Sequence, residues 1–179
     1  MTKDSKLHQY DRAFGLPVLD ILHERIHRGE VFTASAQQEI AGDGTADFLI
    51  RVVGGMHVTF TGNVGQNMLV SLFEGPTTSA DGVAVTPHNR NRFSSTTPTT
   101  LVFAGPTVSA DGTQLFDGFA PGGEKQSASG GQASSFFEWV LSPGDYIARI
   151  ENTIVSPAAA AYAGLVIDFY EPVSGIAPL

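Results

Sequence analysis

The sequence predicts a single all-β domain, a β-sandwich or jelly roll, with a short N-terminal helix and a polar arm. After Gly29, runs of Val, Ile, Phe and Thr are separated by Gly, Pro, Asn and Asp, which is the pattern of strands joined by turns. The helical periodicity that the crossovers of a parallel sheet would need is not visible there. With 179 residues, of which 42% are apolar, the chain is long enough to bury one core.

The first segment, residues 1–17, is polar, mixed in charge and closed by Pro17, so we expect a loose N-terminal arm. The domain then spans residues 18–179. Apolar residues recur at helical spacing from Val18 to Arg28, and Gly29 supplies a stop signal. This segment predicts the one short helix.

Ten strands are expected after the helix. The strand 67–74 is apolar on both faces, which predicts cover on both sides, and we expect the last strand to pair centrally in its sheet. The ten segments are Val31–Ser35, Ala46–Val53, His57–Gly62, Asn67–Glu74, Val83–Thr86, Thr99–Ala104, Thr113–Phe119, Ser134–Leu141, Tyr146–Asn152 and Gly164–Glu171.

One motif occurs twice: GPTTSADG at 75–82 returns as GPTVSADG at 105–112. Each copy follows an apolar strand, and its Asp-Gly pair supplies a positive φ, so the repeat predicts two equivalent turns of a duplicated hairpin. The alternative is a paired calcium or sugar site. One Asp per copy provides too few oxygen ligands for a dedicated calcium cage.

Two further features have open interpretations. The Gly-Ser-rich stretch 121–135 predicts a mobile surface loop, which is either an interface that orders on a partner or a tolerated insertion. Trp139 lies in a predicted strand, where a core position is more typical than a sugar-stacking platform.

The composition of the chain limits the classes of partner and of chemistry that we expect for it. A formal charge of −8 disfavours nucleic acid and anionic lipid as partners. The absence of cysteine excludes thiol chemistry and fits folding in a reducing compartment such as a bacterial cytoplasm. The N-terminus has no apolar signal region, and no segment approaches the length of a membrane span. We therefore expect a protein that is neither exported by a signal peptide nor membrane-spanning.

His23-Glu24-Arg25-Ile26-His27 matches H-E-x-x-H on the predicted helix, a pattern in which two imidazoles hold zinc and the glutamate acts as general base. The continuation found in one zinc-protease class is absent, because Glu30 and Thr33 occupy the positions of its Gly and third His. A zinc hydrolase is therefore a remote alternative. We expect His23 and His27 to be hydrogen-bonded packing residues beside the sheets.

No other catalytic pattern is present. There is no G-x-S-x-G nucleophile elbow, and the glycine-rich stretch lacks the G-K-[ST] of a phosphate loop. We therefore expect no catalytic activity and no cofactor.

The one concentrated basic segment is Pro87–Arg92, PHNRNR. Guanidinium groups suit bidentate contacts to a neighbouring subunit's carboxylates or to the protein's own carbonyls. Together with the histidine pair, this segment gives the candidate interaction residues: His23, His27, Asn89, Arg90, Asn91 and Arg92.

Three segments together resemble small virion structural proteins of tailed bacteriophages that decorate or cement the head. They are H-E-x-x-H-x-G-x-x-F at 23–32, LFEGPTTSADGVAVTPHNRNR at 72–92, and W-x-L-x-P-G-x-Y-x-x-R followed by DFYE near the C-terminus. The resemblance spans residues 23–171.

The resemblance implies a non-enzymatic protein made in the host cytoplasm that binds the major capsid protein on the outer capsid surface, often as a homotrimer, and stabilises the head. An acidic protein fits the outside of the head, away from DNA. A tail, baseplate or fibre protein that binds receptors is the alternative, because β-sandwiches build those parts as well.

Overall fold

The computed structural model describes residues 21–64, 68–120, 131–132, 136–153 and 161–171. The predicted arm 1–17, and the Gly-Ser-rich stretch apart from residues 131–132, lie outside these ranges. The elements are one helix, α1 (Ile21–Arg28), and the strands β1 (Val31–Ile40), β2 (Thr45–Val52), β3 (Met56–Val64), β4 (Met68–Glu74), β5 (Thr77–Ala80), β6 (Val83–Val85), β7 (His88–Asn89), β8 (Leu101–Ala104), β9 (Thr107–Ala110), β10 (Thr113–Ala120), β11 (Gly131–Gln132), β12 (Phe136–Leu141), β13 (Gly144–Asn152) and β14 (Ala161–Tyr170).

Twelve of these strands form two six-stranded antiparallel sheets, and β5 and β9 form a separate pair. Sheet A has the order β7-β1-β14-β3, with β11 and β12 both pairing with the far edge of β3, and sheet B has the order β10-β4-β13-β2-β8-β6. The short strands β6 and β8 in B and β7 in A lie between β4 and β10 along the chain. The eight strands of six or more residues follow one another as β1 in A, β2 in B, β3 in A, β4 and β10 in B, β12 in A, β13 in B and β14 in A. This order is that of an eight-stranded jelly roll, so the predicted fold class is confirmed.

One hydrophobic core joins the sheets. Sheet A contributes Phe32, Val58 and Phe169, and sheet B contributes Phe48 and Tyr146, all at most 2% exposed. Val58 and Phe169 alternate with half-buried neighbours, as expected when one face of a strand is packed. Phe32, Phe48 and Tyr146 each have in addition a fully buried apolar neighbour, which shows that their strands are covered on both faces at these points. Trp139 also packs against this core.

All ten predicted strands are present, with bounds shifted by a few residues, and β14 pairs centrally between β1 and β3. The strand predicted to be covered on both faces, β4, buries Met68, Val70 and Leu72, while the opposite face is half-buried. The sequence reading missed β5, β7, β9 and β11. Among the described residues no helix is long and apolar enough to cross a membrane.

The prediction of a duplicated hairpin is wrong, because the two strands that flank each copy of the repeat do not pair with each other. The first copy leads from β4 through β5 to β6, yet β6 pairs with β8. The second leads from β8 through β9 to β10, which pairs with β4. The connecting strands β5 and β9 pair with each other; we call this pair, with the turns after it, the ribbon.

The ribbon is tied to the outer face of sheet B by two ion pairs. Leu49 and Ile147 are opposite each other in the β2–β13 ladder and point away from the main core, yet both are fully buried. Arg51 binds Asp81 of the first turn at 3.0 Å, and Arg149 binds Asp111 of the second turn at 2.8 Å. Both carboxylates of the repeat are therefore engaged by arginines of the sheet.

Candidate interaction surface

The end of α1 forms one side of the candidate surface. Gly29 has φ 73°, its N–H donates to the carbonyl of Ile26 at 2.9 Å, and the N–H of Glu30 donates to the carbonyl of Arg25 at 3.0 Å. This is the Schellman arrangement, which glycine adopts without strain. The predicted stop at Gly29 is confirmed, and it turns the chain directly into β1.

Asn89 holds the segment 88–96, which we call the anchored loop, against this helix end. Its side chain is 8% exposed, donates to the carbonyls of Gly29 at 2.8 Å and Thr96 at 3.1 Å, and accepts from the N–H of Asn91 at 2.9 Å. The N–H of Arg90 donates to the carbonyl of Val31 at 2.9 Å. Asn89 is thus a buried clip that is not available to a partner.

Asn91 makes a second tie between the loop and the helix. Its amide donates to the carbonyl of His27 at 2.8 Å and accepts from the N–H of Phe93 at 3.1 Å. Ser94 packs so closely on Gly29 that a Cβ added at Gly29 would lie 2.2 Å from its Oγ. Both asparagines of the basic segment therefore donate their side-chain hydrogen bonds to backbone carbonyls of the protein itself.

Ordered in this way, the loop exposes its charged and aromatic side chains. Arg90 and Arg92 are exposed, and Phe93 has a relative exposure of 103%. No hydrogen bond or ion pair of either guanidinium is recorded among the described residues. We define the helix–loop surface by six of the exposed side chains of α1 and the anchored loop: Leu22, His23, His27, Arg90, Arg92 and Phe93.

His23 and His27 face solvent, which corrects the expectation that they are packing residues. Their Nε2 atoms are 3.1 Å apart, and their rings meet edge to face with centroids 4.6 Å apart. Glu24, the general base of the zinc hypothesis, forms an ion pair with Arg28 one turn later. Within the described ranges, no group of three His, Cys, Asp or Glu residues is arranged to hold a metal ion.

A pocket of about 380 Å³ opens beside the helix–loop surface, on the outer face of sheet A. Leu22 of the helix and Arg90 of the anchored loop line it together with residues of four strands. Those residues are Val31, His57, Val58, Thr59, Glu138, Asp168, Phe169 and Tyr170.

The polar groups of the pocket are linked across neighbouring strands. His57 bonds the Tyr170 hydroxyl through Nδ1, and its Nε2 lies 2.6 Å from Oε1 of Glu138. Arg25 lies over the Tyr170 ring, 4.1 Å from its centroid, and pairs with Glu30 at 3.3 Å. Burial raises the pKa of Tyr170; Arg25 opposes this rise and Glu138 adds to it.

Asp168 and Glu138 flank Thr59 in one row across the sheet, because Thr59 pairs with Asp168 on one side and with Glu138 on the other. Asp168 accepts from the Thr33 hydroxyl. Sequence reasoning did not single out these pocket residues. The available signal was a polar residue at every second position of β3 from 57 to 63, and Asp168 and Tyr170 at alternate positions of β14. The strand order that brings these residues together is a property of the whole fold.

No family model matches the chain, and no curated protein matches it either.

Proposed function

We propose that this protein is a non-enzymatic structural component of a tailed-phage virion that binds the outer surface of the capsid and stabilises the head. The observation that carries the proposal is the anchored loop, which holds a fully exposed phenylalanine beside two exposed arginines. The motif resemblance to decoration proteins supports the same role. The jelly-roll fold is compatible with it, although a fold alone does not define a function.

The composition of this loop favours protein binding. Aromatic residues and arginine are enriched in the parts of protein interfaces that contribute most to affinity, where they fill pockets and exclude water. Phe93 leaves its whole ring in water in the free protein, so burying it in a partner gains about 1.5–3 kcal/mol of transfer free energy.

The anchored loop is also preorganised for binding a partner. The backbone of the loop is fixed by the Asn89 clip and by the bond from Arg90 to Val31. Binding therefore does not need to order the loop, and this lowers the entropic cost of association.

Charge supports a position on the outside of a head. A net charge of −8 is unfavourable near packaged DNA, whereas Arg90 and Arg92 provide local positive charge for an acidic patch on the shell. We further propose that the protein acts as a homotrimer. Sedimentation at micromolar concentration should give a trimer mass; a monomer would argue against assembly before binding to the shell.

The test is co-sedimentation of the purified protein with phage heads that lack it, and separately with isolated tails. We expect saturable binding to heads that is lost in Phe93→Ser and kept in Phe119→Ser, a matched change at another exposed phenylalanine, 58% exposed on β10. Binding to tails or host cells without binding to heads would overturn the proposal in favour of a tail or receptor-binding role.

A further inference from the structure

We propose that the pocket beside the helix–loop surface binds a basic side chain, a guanidinium or ammonium group, of the partner protein. This inference rests on the proposed function in that it assumes a protein partner on this side of the molecule. The pocket adjoins the loop that presents Phe93, since Arg90 belongs to both. A partner seated on Phe93 therefore lies next to the pocket.

Two carboxylates, each with an oxygen that can accept further hydrogen bonds, give the pocket its preference for a cationic group. Glu138 uses Oε1 for His57, and Asp168 uses Oδ1 for Thr33. In the described part of the chain the second oxygen of each carboxylate, Oε2 and Oδ2, has no recorded partner. Because Thr59 lies between them in the sheet, both carboxylates can face one cationic group bound above it.

The positive charges nearby do not cancel this preference. Arg25 already pairs with Glu30 and stacks on Tyr170. Arg90 follows β7, at the edge of sheet A opposite to β12, which carries Glu138. The end of the pocket at β12 and β14 is therefore anionic, whereas the end at β7 is cationic and suits an acidic neighbour of the bound side chain.

A saccharide fits these walls less well. Sugar sites commonly offer an aromatic face for stacking, but Arg25 covers the Tyr170 ring and the His57 ring packs against it edge to face, with centroids 4.5 Å apart. Leu22, 46% exposed, lies at the pocket and can pack on the aliphatic stem of a Lys or Arg side chain.

The experiment is a ¹⁵N NMR titration of the isolated protein with N-acetyl-argininamide, compared with its neutral isostere N-acetyl-citrullinamide. We expect shifts at the amides of His57, Thr59 and Asp168 with a dissociation constant of about 1–10 mM for the cation, and binding at least about fivefold weaker for the neutral compound. The variants Glu138→Gln and Asp168→Asn keep the shape of the side chain but remove its charge. Each should raise the dissociation constant of the cationic compound about threefold or more.

The control is Asp117→Asn, an exposed acid on β10 that should leave the titration unchanged. Equal shifts with both compounds, shifts outside the pocket, or no shifts with the cation would overturn this inference. The titration uses no heads, so binding to heads with a negative titration removes this inference alone. If the protein fails to bind heads but the cationic compound binds the pocket, only the proposed function is removed.

Discussion

Arg51 on β2 and Arg149 on β13 occupy equivalent positions in sheet B. Each binds one carboxylate across the ladder, Asp145 for Arg51 and Asp47 for Arg149, and one from the ribbon. Each also lies over a phenylalanine of the flanking strand: Arg51 over Phe103 at 5.7 Å and Arg149 over Phe73 at 5.2 Å. The two arginines thus fasten the ribbon over sheet B by the same contacts at both ends.

Arg149→Met should lower the free energy of unfolding by about 2–4 kcal/mol, because it leaves Asp47 unpaired in a largely buried position. The side chains of Arg149 and Asp47 are only 17% and 12% exposed. Arg28→Met, which removes an exposed pair within the helix, should cost less than about 0.5 kcal/mol. Urea unfolding measures both; equal losses would contradict a structural role for the Arg149 pair.

Three glycines, of which Gly112 belongs to the ribbon, provide a graded test. At Gly112 a Cβ would lie 2.2 Å from the carbonyl oxygen of Glu74, and φ is 84°, so Gly112→Ala should destabilise by more than about 2 kcal/mol. Gly75→Ala meets open space at φ 67° and should cost about 1 kcal/mol of backbone strain. Gly54→Ala, with open space and no positive φ, should be close to neutral. Thermal unfolding should reproduce this order, and a neutral Gly112→Ala would refute the close approach.

Acid should loosen the ribbon. Arg51 lowers the pKa of Asp81 below its usual value of 3.8, chiefly through their hydrogen bonds. A depressed folded-state pKa gives stability that is present above the unfolded-state pKa and is lost as pH falls through the folded-state value. The wild type should therefore be more stable than Asp81→Asn at pH 7, with a difference that shrinks below about pH 4. A difference in urea midpoint that does not depend on pH would exclude this ion pair as the cause.

Asn89→Ala should release the anchored loop. It removes two hydrogen bonds to carbonyls and one from the N–H of Asn91, so we expect a loss of about 1–3 kcal/mol and faster hydrogen exchange at the N–H of Arg90. Asn91→Ala, nearer the surface, serves as the matched variant and should have a smaller effect on both quantities. Unchanged exchange at Arg90 in Asn89→Ala would show that the clip does not order the loop.

Local sequence signals predicted much of the fold. Alternating apolar runs located ten strands, and Gly29 located the end of α1, because both depend on residues that are near each other in the chain. The partner exchange of β6 and β10 was not predicted. The turn residues of the repeat at 75–82 and 105–112 do not depend on which strand pairs with the strand that follows the turn. The spacing D-x-x-x-R in 47–51 and again in 145–149 was an available hint of the matched arginines.

The interaction surface was predicted only in part. Segment 87–92 was predicted as a basic stretch, but Asn89 is a buried clip, whereas Phe93 just beyond it is the most exposed large apolar residue among the described residues. The pocket could not be predicted, because Thr59, Glu138 and Asp168 become neighbours only through the order of three strands that are distant in sequence.

The most direct test of the proposed role is a reconstruction of the virion at a resolution that resolves side chains. It should show this jelly roll on the outer surface of the head, with the helix–loop surface facing the shell and the Phe93 ring buried in the major capsid protein. Density for this chain in the tail, or on the head with Phe93 facing solvent, would contradict the proposed role.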